Sequence, residues 1–253
     1  MIVEFKTKDR IAFICLNRPE ARNAVNQEVA QGIEDAIDLL ENDDDLWIGI
    51  LCANGPAFSA GADLKAISAG AMNLATKRGG FGGIVARQRD KPLIAAVDGP
   101  ALAGGTELAL ACDLIVASKN ARFGLPEVKR SLIASAGGLV RLPRILPKNI
   151  AMEIALTGEP ISAELAHHFG MINRLVEPGE AVTEATLLAK KINENAPLAV
   201  RSTRKTLLDS LTKNEIEGMK FAIDETIMLA STEDYKEGPL AFIEKRMPVW
   251  KGK

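Results

Sequence analysis

Aromatic side chains are scarce in this chain, only 4% of its 253 residues, with a single tyrosine and two tryptophans. That leaves little material for the stacking platforms that hold single-stranded nucleic acid. Histidine is scarcer still: His167 and His168 are the only two, adjacent in a helical pattern. Neighbours on a helix point in different directions and lack metal-ligand spacing, so no metal site is expected and the pair reads as surface or interface residues. The three cysteines, Cys15, Cys52 and Cys112, are widely spaced in apolar runs, which offers neither a disulfide framework nor a CxxC site and suits a reducing, cytoplasmic compartment. Excess charge is missing as well. With 31 basic and 33 acidic residues the net charge is −2, so nothing draws the whole molecule to nucleic acid or to an anionic membrane. No apolar run reaches spanning length, and the first residues, Met1 to Lys6, alternate apolar and charged side chains without a signal-type block.

What is present is 47% apolar residues, enough to bury a large core. Residues 2–6 and 10–16 read as paired strands around Thr7-Lys8-Asp9. Asn26 then caps a helix whose Val29, Ile33, Ala36, Ile37 and Leu40 follow helical spacing. Leu46 to Cys52, Pro92 to Val97 and Leu114 to Ala117 are short apolar runs bounded by turn formers, the pattern of strands covered on both faces. Ser68 to Arg89, with Gly79-Gly80 and Gly82-Gly83, reads as a mobile loop followed by a helix that ends before Lys91-Pro92. It lacks the Gly-Lys-Ser/Thr ending of a phosphate loop, and no G-x-G-x-x-G follows a strand. Beyond about residue 145 the pattern is mainly helical, with Met171 to Val176 as a further strand. Glu215 to Ala230 places Ile216, Met219, Ile223 and Ile227 on one face, and Ser231 to Met247 reads as a last helix ended by Pro248. The expectation is an α/β core over residues 1–195 and a helical region over 196–253 that serves assembly.

Two glutamates stand out, Glu107 in Ala103-Gly104-Gly105-Thr106-Glu107-Leu108 and Glu127 in Phe123-Gly124-Leu125-Pro126-Glu127. Taken singly, each has an ordinary reading: Glu107 offsets a helix dipole, and Glu127 is a solvated loop residue. Brought together in an apolar pocket they would resist double ionisation, leaving one as acid and the other as base. The turn before Glu107 and the small-residue turn Ala57 to Leu64 could both aim backbone N–H groups at a carbonyl. Ser59 lacks the glycine two positions earlier that a nucleophile elbow needs, and both histidines lie in a separate helix.

Several ordered blocks carry a specific likeness. Asn17-Arg18-Pro19-Glu20-Ala21-Arg22-Asn23-Ala24, Ala57 to Lys65, Pro100 to Asp113, Phe123-Gly124-x-Pro126-Glu127, Ala136-Gly137-Gly138, Leu156-Thr157-Gly158 and Glu237 to Phe242 together resemble the enoyl-CoA hydratase/isomerase, or crotonase, superfamily over essentially the whole chain. The resemblance implies repeated ββα units wound into a spiral, with C-terminal helices that organise trimers or dimers of trimers. It implies an acyl-CoA thioester as substrate, with CoA part of that substrate and no redox cofactor or metal. Ala62 and Gly104 would form an oxyanion hole, and Glu107 and Glu127 would be the catalytic acids. Arg22, Ala24, Ala60, Asp63 and Leu64 would contact CoA largely through backbone atoms, and Phe242 and Lys245 would help enclose it, in some members from a neighbouring subunit.

Retention of both acids favours reversible hydration of a trans-2-enoyl-CoA. Isomerisation, a carnitinyl-CoA-type dehydration, and a noncatalytic acyl-CoA or RNA binding role stay open beside it. Two positions depart from the family's pattern: Ala103 stands where a first glycine is common, and Ala134-Ser135 where Pro-Gly is frequent.

Overall fold

The computed structural model describes residues 1–68 and 74–253. Strands β1 (Val3–Lys8) and β2 (Ile11–Leu16) pair antiparallel across Asp9 and Arg10, which both take positive φ. Helix α1 (Gln27–Asn42) follows, its Asn26 Oδ1 accepting from the Val29 N–H at 2.9 Å. Next come β3 (Ile48–Ala53), α2 (Leu64–Ser68), the small hairpin β4 (Ala75–Thr76) and β5 (Gly80–Phe81), then β6 (Leu93–Val97), β7 (Ala101–Leu102) and α3 (Gly104–Leu110). After β8 (Leu114–Ser118) and β9 (Arg122–Gly124) the chain forms α4 (Gly138–Ile145), α5 (Lys148–Thr157), β10 (Ile161–Ser162), α6 (Ala163–His168) and β11 (Arg174–Val176). Helices α7 (Ala181–Asn193), α8 (Pro197–Ser210), α9 (Glu215–Leu229) and α10 (Glu233–Glu244) complete it.

The long strands form a six-stranded sheet in the order β1-β2-β3-β6-β8-β11, parallel from β2 onward. Both faces are covered, which is why β3 and β6 are apolar almost throughout. One face packs on α1 and α3 through Ile14, Leu16, Ile33, Ile37, Leu51 and Leu108. The other packs on α7, whose Ala181, Ala185 and Ala189 recur at helical spacing and let its backbone approach Ile48, Ile50 and Val116. Strands β6 and β8 each hand over to a short strand of a second sheet, β10-β9-β7, and then to a helix; β6-β7-α3 and β8-β9-α4 are two turns of a spiral. Ser59 extends the second sheet by a parallel bridge to Ala101, and β7 and β9 are parallel. The carboxyl ends of three short segments therefore share one edge, and the loops leaving them carry Ala62, Gly104 and Glu127.

One expectation is overturned. Residues 74–89 hold no helix; they form the β4–β5 hairpin and turns, because Gly80, Gly82 and Gly83 all take positive φ and break the helical repeat. Of the loop expected over Ser68 to Arg89, residues 69–73 lie outside the described residues. Helix α10 stops short of Pro248, since Lys245 takes a left-handed conformation with φ 55° and closes it. No helix among the described residues is long and apolar enough to cross a membrane.

The core and the C-terminal helices are joined by a buried ionic knot. Asp113 Oδ2 accepts from Arg89 Nη1 at 2.6 Å and from the Leu93 N–H at 2.8 Å, and its Oδ1 accepts from Arg204 Nε of α8 at 2.8 Å. Arg89 also donates to the Ala111 carbonyl just past α3 at 2.8 Å. Burial raises the Asp113 carboxyl, but the two guanidinium groups outweigh it and hold the group below the usual aspartate range. Asp113→Ala leaves the Arg89 cation buried without its counter-charge, and urea unfolding should report a loss of about 3–5 kcal/mol.

Candidate active site

The loop from Asn17 to Val25 and the loop from Asn54 to Asp63 are built as one unit. Asn23, fully buried, donates from Nδ2 to the Asn54 and Ala57 carbonyls at 2.9 and 2.8 Å, and its Oδ1 accepts from the Arg18 N–H at 2.8 Å. Ser59 is also fully buried: its hydroxyl donates to the Asn23 carbonyl at 2.8 Å and accepts from the Gly61 N–H at 3.2 Å. The serine is thus a clamp between loops. Backbone bonds finish the join, with Val25 N–H donating to Gly61 O at 2.7 Å, Ala60 N–H to Arg22 O at 3.0 Å and Asp63 N–H to Val25 O at 2.9 Å.

This weave gathers Arg22, Ala24, Ala60, Ala62, Asp63 and Leu64 in one place. Asp63 spends its side chain on structure, pairing with Arg18 at 2.6 Å and capping α2 through the Lys65 and Ala66 N–H groups. The Arg18 partner comes first among the influences that hold its carboxyl below the usual range. Ala60 and Leu64 are exposed, and Ala24 is buried.

Gly61 brings the Ala62 turn against α3. A Cβ on Gly61 would stand 2.7 Å from Gly104 N and 2.7 Å from the Ala103 Cβ, so only glycine permits the approach. Among the hydrogen bonds of the described residues, neither Ala62 N–H nor Gly104 N–H donates to another protein group. Gly104 is the first residue of α3, where an N–H has no intrahelical partner, and the Ala62 N–H lies on the side of its turn away from Val25. Ala103 sets the entry to α3 with φ 54° and ψ −129°, a conformation strained for any residue bearing a Cβ.

Glu107 lies one helical turn beyond Gly104 and is 3% exposed. Its Oε1 accepts from the Gly138 N–H at 2.9 Å, and a Cβ on Gly138 would crowd that same oxygen at 3.0 Å. Burial pushes the Glu107 carboxyl up to about 6; the Gly138 N–H opposes the rise, and the negative charge of Glu127 adds to it. Glu127 sits in a 3-10 turn, Pro126–Arg130, that Pro126 starts. Burial raises its carboxyl too, and its Oε2 is buried without a hydrogen-bond partner among the described residues. Arg141 of α4 is half-buried and donates to the Val85 carbonyl at 2.5 Å and to the Ala136 carbonyl at 3.4 Å, so it steadies the loop that supplies Gly138. Its positive charge also works against the rise at Glu107.

Gly138 and Arg141 had no role in the sequence reading. The Ala136-Gly137-Gly138 triplet was the visible signal, but nothing in its spacing says which carboxylate it meets. Phe242 and Lys245 stand apart from the rest. Both are exposed, Phe242 on α10 and Lys245 just past its end, and no hydrogen bond or ion pair among the described residues ties their side chains to these loops. Helix α10 is held by the chain's own tail, where Asp234 accepts from the Lys251 and Gly252 N–H groups at 2.8 Å each.

The family model described as enoyl-CoA hydratase/isomerase matches residues 6–253, and the chain belongs to that family. It is 39% identical over 241 residues to the enoyl-CoA hydratase EchA19 of Mycobacterium tuberculosis, covering 93% of this chain and 91% of that one. It is 39% identical over 247 residues to the carnitinyl-CoA dehydratase of Salmonella typhi, covering 95% and 94%. Among solved structures, an enoyl-CoA hydratase from Mycobacterium tuberculosis H37Rv superposes with a TM-score of 0.96 at 47% identity over 100% of this chain and 99% of that one. The spiral of two sheets is therefore the crotonase fold.

Two outcomes follow from the local physics. Ala103→Gly relieves the strained φ, and thermal or urea unfolding should show a gain of about 1 kcal/mol. Because folding raises the Glu107 carboxyl, the folded chain holds that proton more tightly than the unfolded chain; the favourable contribution is complete at low pH and is lost as pH rises through about 6. Glu107→Gln keeps an acceptor for Gly138 and removes the titration, so its stability advantage over the wild type should grow from near zero at about pH 4 to about 2 kcal/mol at about pH 8.

Proposed function

We propose that this enzyme of the crotonase family hydrates a trans-2-enoyl-CoA reversibly, with Glu107 and Glu127 as its catalytic acids and the Ala62 and Gly104 N–H groups as its oxyanion hole. The observation that carries the reading is the pair of burial-raised carboxyls, one of them a helical turn beyond Gly104, together with two backbone donors that no protein group among the described residues occupies. In the hydration direction the thioester oxygen accepts from Ala62 and Gly104, and these fixed donors stabilise the negative charge that grows on it. Glu107, oriented by Gly138, and Glu127 hold the water and take its proton as its oxygen bonds to Cβ. Glu127 then returns a proton to Cα of the enolate. Glu107 acts as a base only when ionised, so kcat/KM falls as pH drops below about 6.

The same proposal assigns Arg22, Ala24, Ala60, Asp63 and Leu64 to the CoA moiety, largely through their backbone atoms, and asks for no redox cofactor or metal. Phe242 and Lys245, exposed at the end of α10, would enclose CoA held by a neighbouring copy. Residues 1–195 serve as the catalytic core and 196–253 as the assembly region of a trimer or dimer of trimers. The exposed apolar face of α9, Ile216, Met219, Ile223 and Ile227, supports that assembly. We place the protein in the cytoplasm, on the strength of its three free cysteines.

A second reading is dehydration of a functionalised 3-hydroxyacyl-CoA, the same chemistry reversed, favoured by the likeness to the carnitinyl-CoA dehydratase. A panel of straight-chain, branched, aromatic and carnitinyl thioesters separates the two. Glu107→Gln and Glu127→Gln should each lose about 10²–10⁴-fold in turnover while CoA-ester binding by calorimetry survives; unchanged hydration by both variants sinks the assignment.

A further inference from the structure

The glycine-rich segment Gly79 to Gly83 is no phosphate loop, yet it is fixed with care. Glu34, a buried carboxylate of α1, accepts from the Gly79 N–H at 2.7 Å, from Arg78 Nη2 at 3.1 Å and from the Thr76 hydroxyl. Asp38, one turn further along α1, takes Arg78 and Arg87, both at 2.5 Å. The missing side chains matter as much: a Cβ on Gly82 would stand 2.5 Å from Leu108 Cδ2 of α3, and one on Gly83 would stand 2.1 Å from the Ala30 carbonyl of α1. The hairpin is thus seated in the angle between α1 and α3.

What the hairpin presents there is Phe81. A Cβ on Gly104 would lie 2.4 Å from both Cε1 and Cζ of the Phe81 ring and 3.3 Å from the Gly61 Cα. The far edge of the ring therefore touches the residue that supplies one backbone donor, at the point where the turn carrying the other donor arrives. Phe81 is half-buried and packs against the core.

We propose that Phe81 is the specificity-determining wall of the acyl site, restricting it to thioesters whose acyl chain is unbranched next to the carbonyl. This rests on the enoyl-CoA reading above. A carbonyl seated on the Gly104 N–H brings its Cα substituents close to the ring edge, and the hairpin cannot retreat because Glu34, Leu108 and Ala30 hold it. One methyl group rejected by such a wall is worth about 10- to 200-fold in discrimination.

The test compares wild type, Phe81→Ala and Phe81→Leu by two readouts: kcat/KM for 2-methylcrotonyl-CoA relative to crotonyl-CoA, and the Kd of isobutyryl-CoA relative to butyryl-CoA. Melting temperatures confirm that the variants are folded. Wild type should discriminate against both branched thioesters, and Phe81→Ala should shift both ratios toward the branched one at least tenfold, with Phe81→Leu between them. Ratios in both variants within twofold of wild type, or no discrimination by wild type, overturn the role of Phe81. Wild type that binds thioesters without hydrating them overturns the hydratase reading alone, and the binding ratio still decides Phe81; wild type that binds none overturns both.

Discussion

The approach of Gly61 to Gly104 is the constraint on which the site depends. Two turns from distant parts of the chain, each leaving the same edge of a small parallel sheet, meet where an added methyl group would lie 2.7 Å from a backbone nitrogen. Only glycine permits that approach at position 61, and it brings the Ala62 turn, on one loop, against the first residue of α3 on another. The Asn23 and Ser59 clamps serve this contact: by fastening the first loop to the second, they fix the height at which the Gly61 turn reaches α3. The Asn23 and Ser59 side chains are occupied in holding the backbone still.

The carboxylates follow the opposite logic. Glu107 is buried at a cost to folding, which makes it hold its proton more tightly, and the Gly138 N–H keeps the desolvated group oriented. Among the described residues Glu127 receives no such support at Oε2. The two acids therefore differ in their support: Glu107 is held by a main-chain donor, and Glu127 by its place in the 3-10 turn that Pro126 starts.

Much of the fold was legible because burial on both faces writes itself as short apolar runs. The strands at Ile48–Ala53, Leu93–Val97 and Leu114–Ser118 and the apolar face of α1 were visible that way, and the ordered motif blocks named the family. The stretch from Leu74 to Arg89 was not legible, because small and basic residues give no periodicity and the force that orders it is a carboxylate some 40 residues earlier, at Glu34. Helix α4 escaped for a similar reason: it opens with a glycine after a glycine at φ 103° and contains Pro143, so no propensity announces it. Within the site, the two acids and the two donor turns stood out by residue type, whereas the partner of Glu107 is a main-chain group, and main-chain groups have no letter in a sequence.

The β4–β5 hairpin belongs to neither sheet. It is fastened to the body by side chains, Glu34 and Asp38 on one side and Thr76, Arg78 and Arg87 on the other, and its ladder is confined to itself. A segment attached in that manner behaves as an interchangeable cassette: its length and its tip residue can drift across generations without disturbing a strand register, provided the two acidic anchors on α1 persist. Diversification of such a scaffold would then proceed fastest at the segment that is least woven into its sheets.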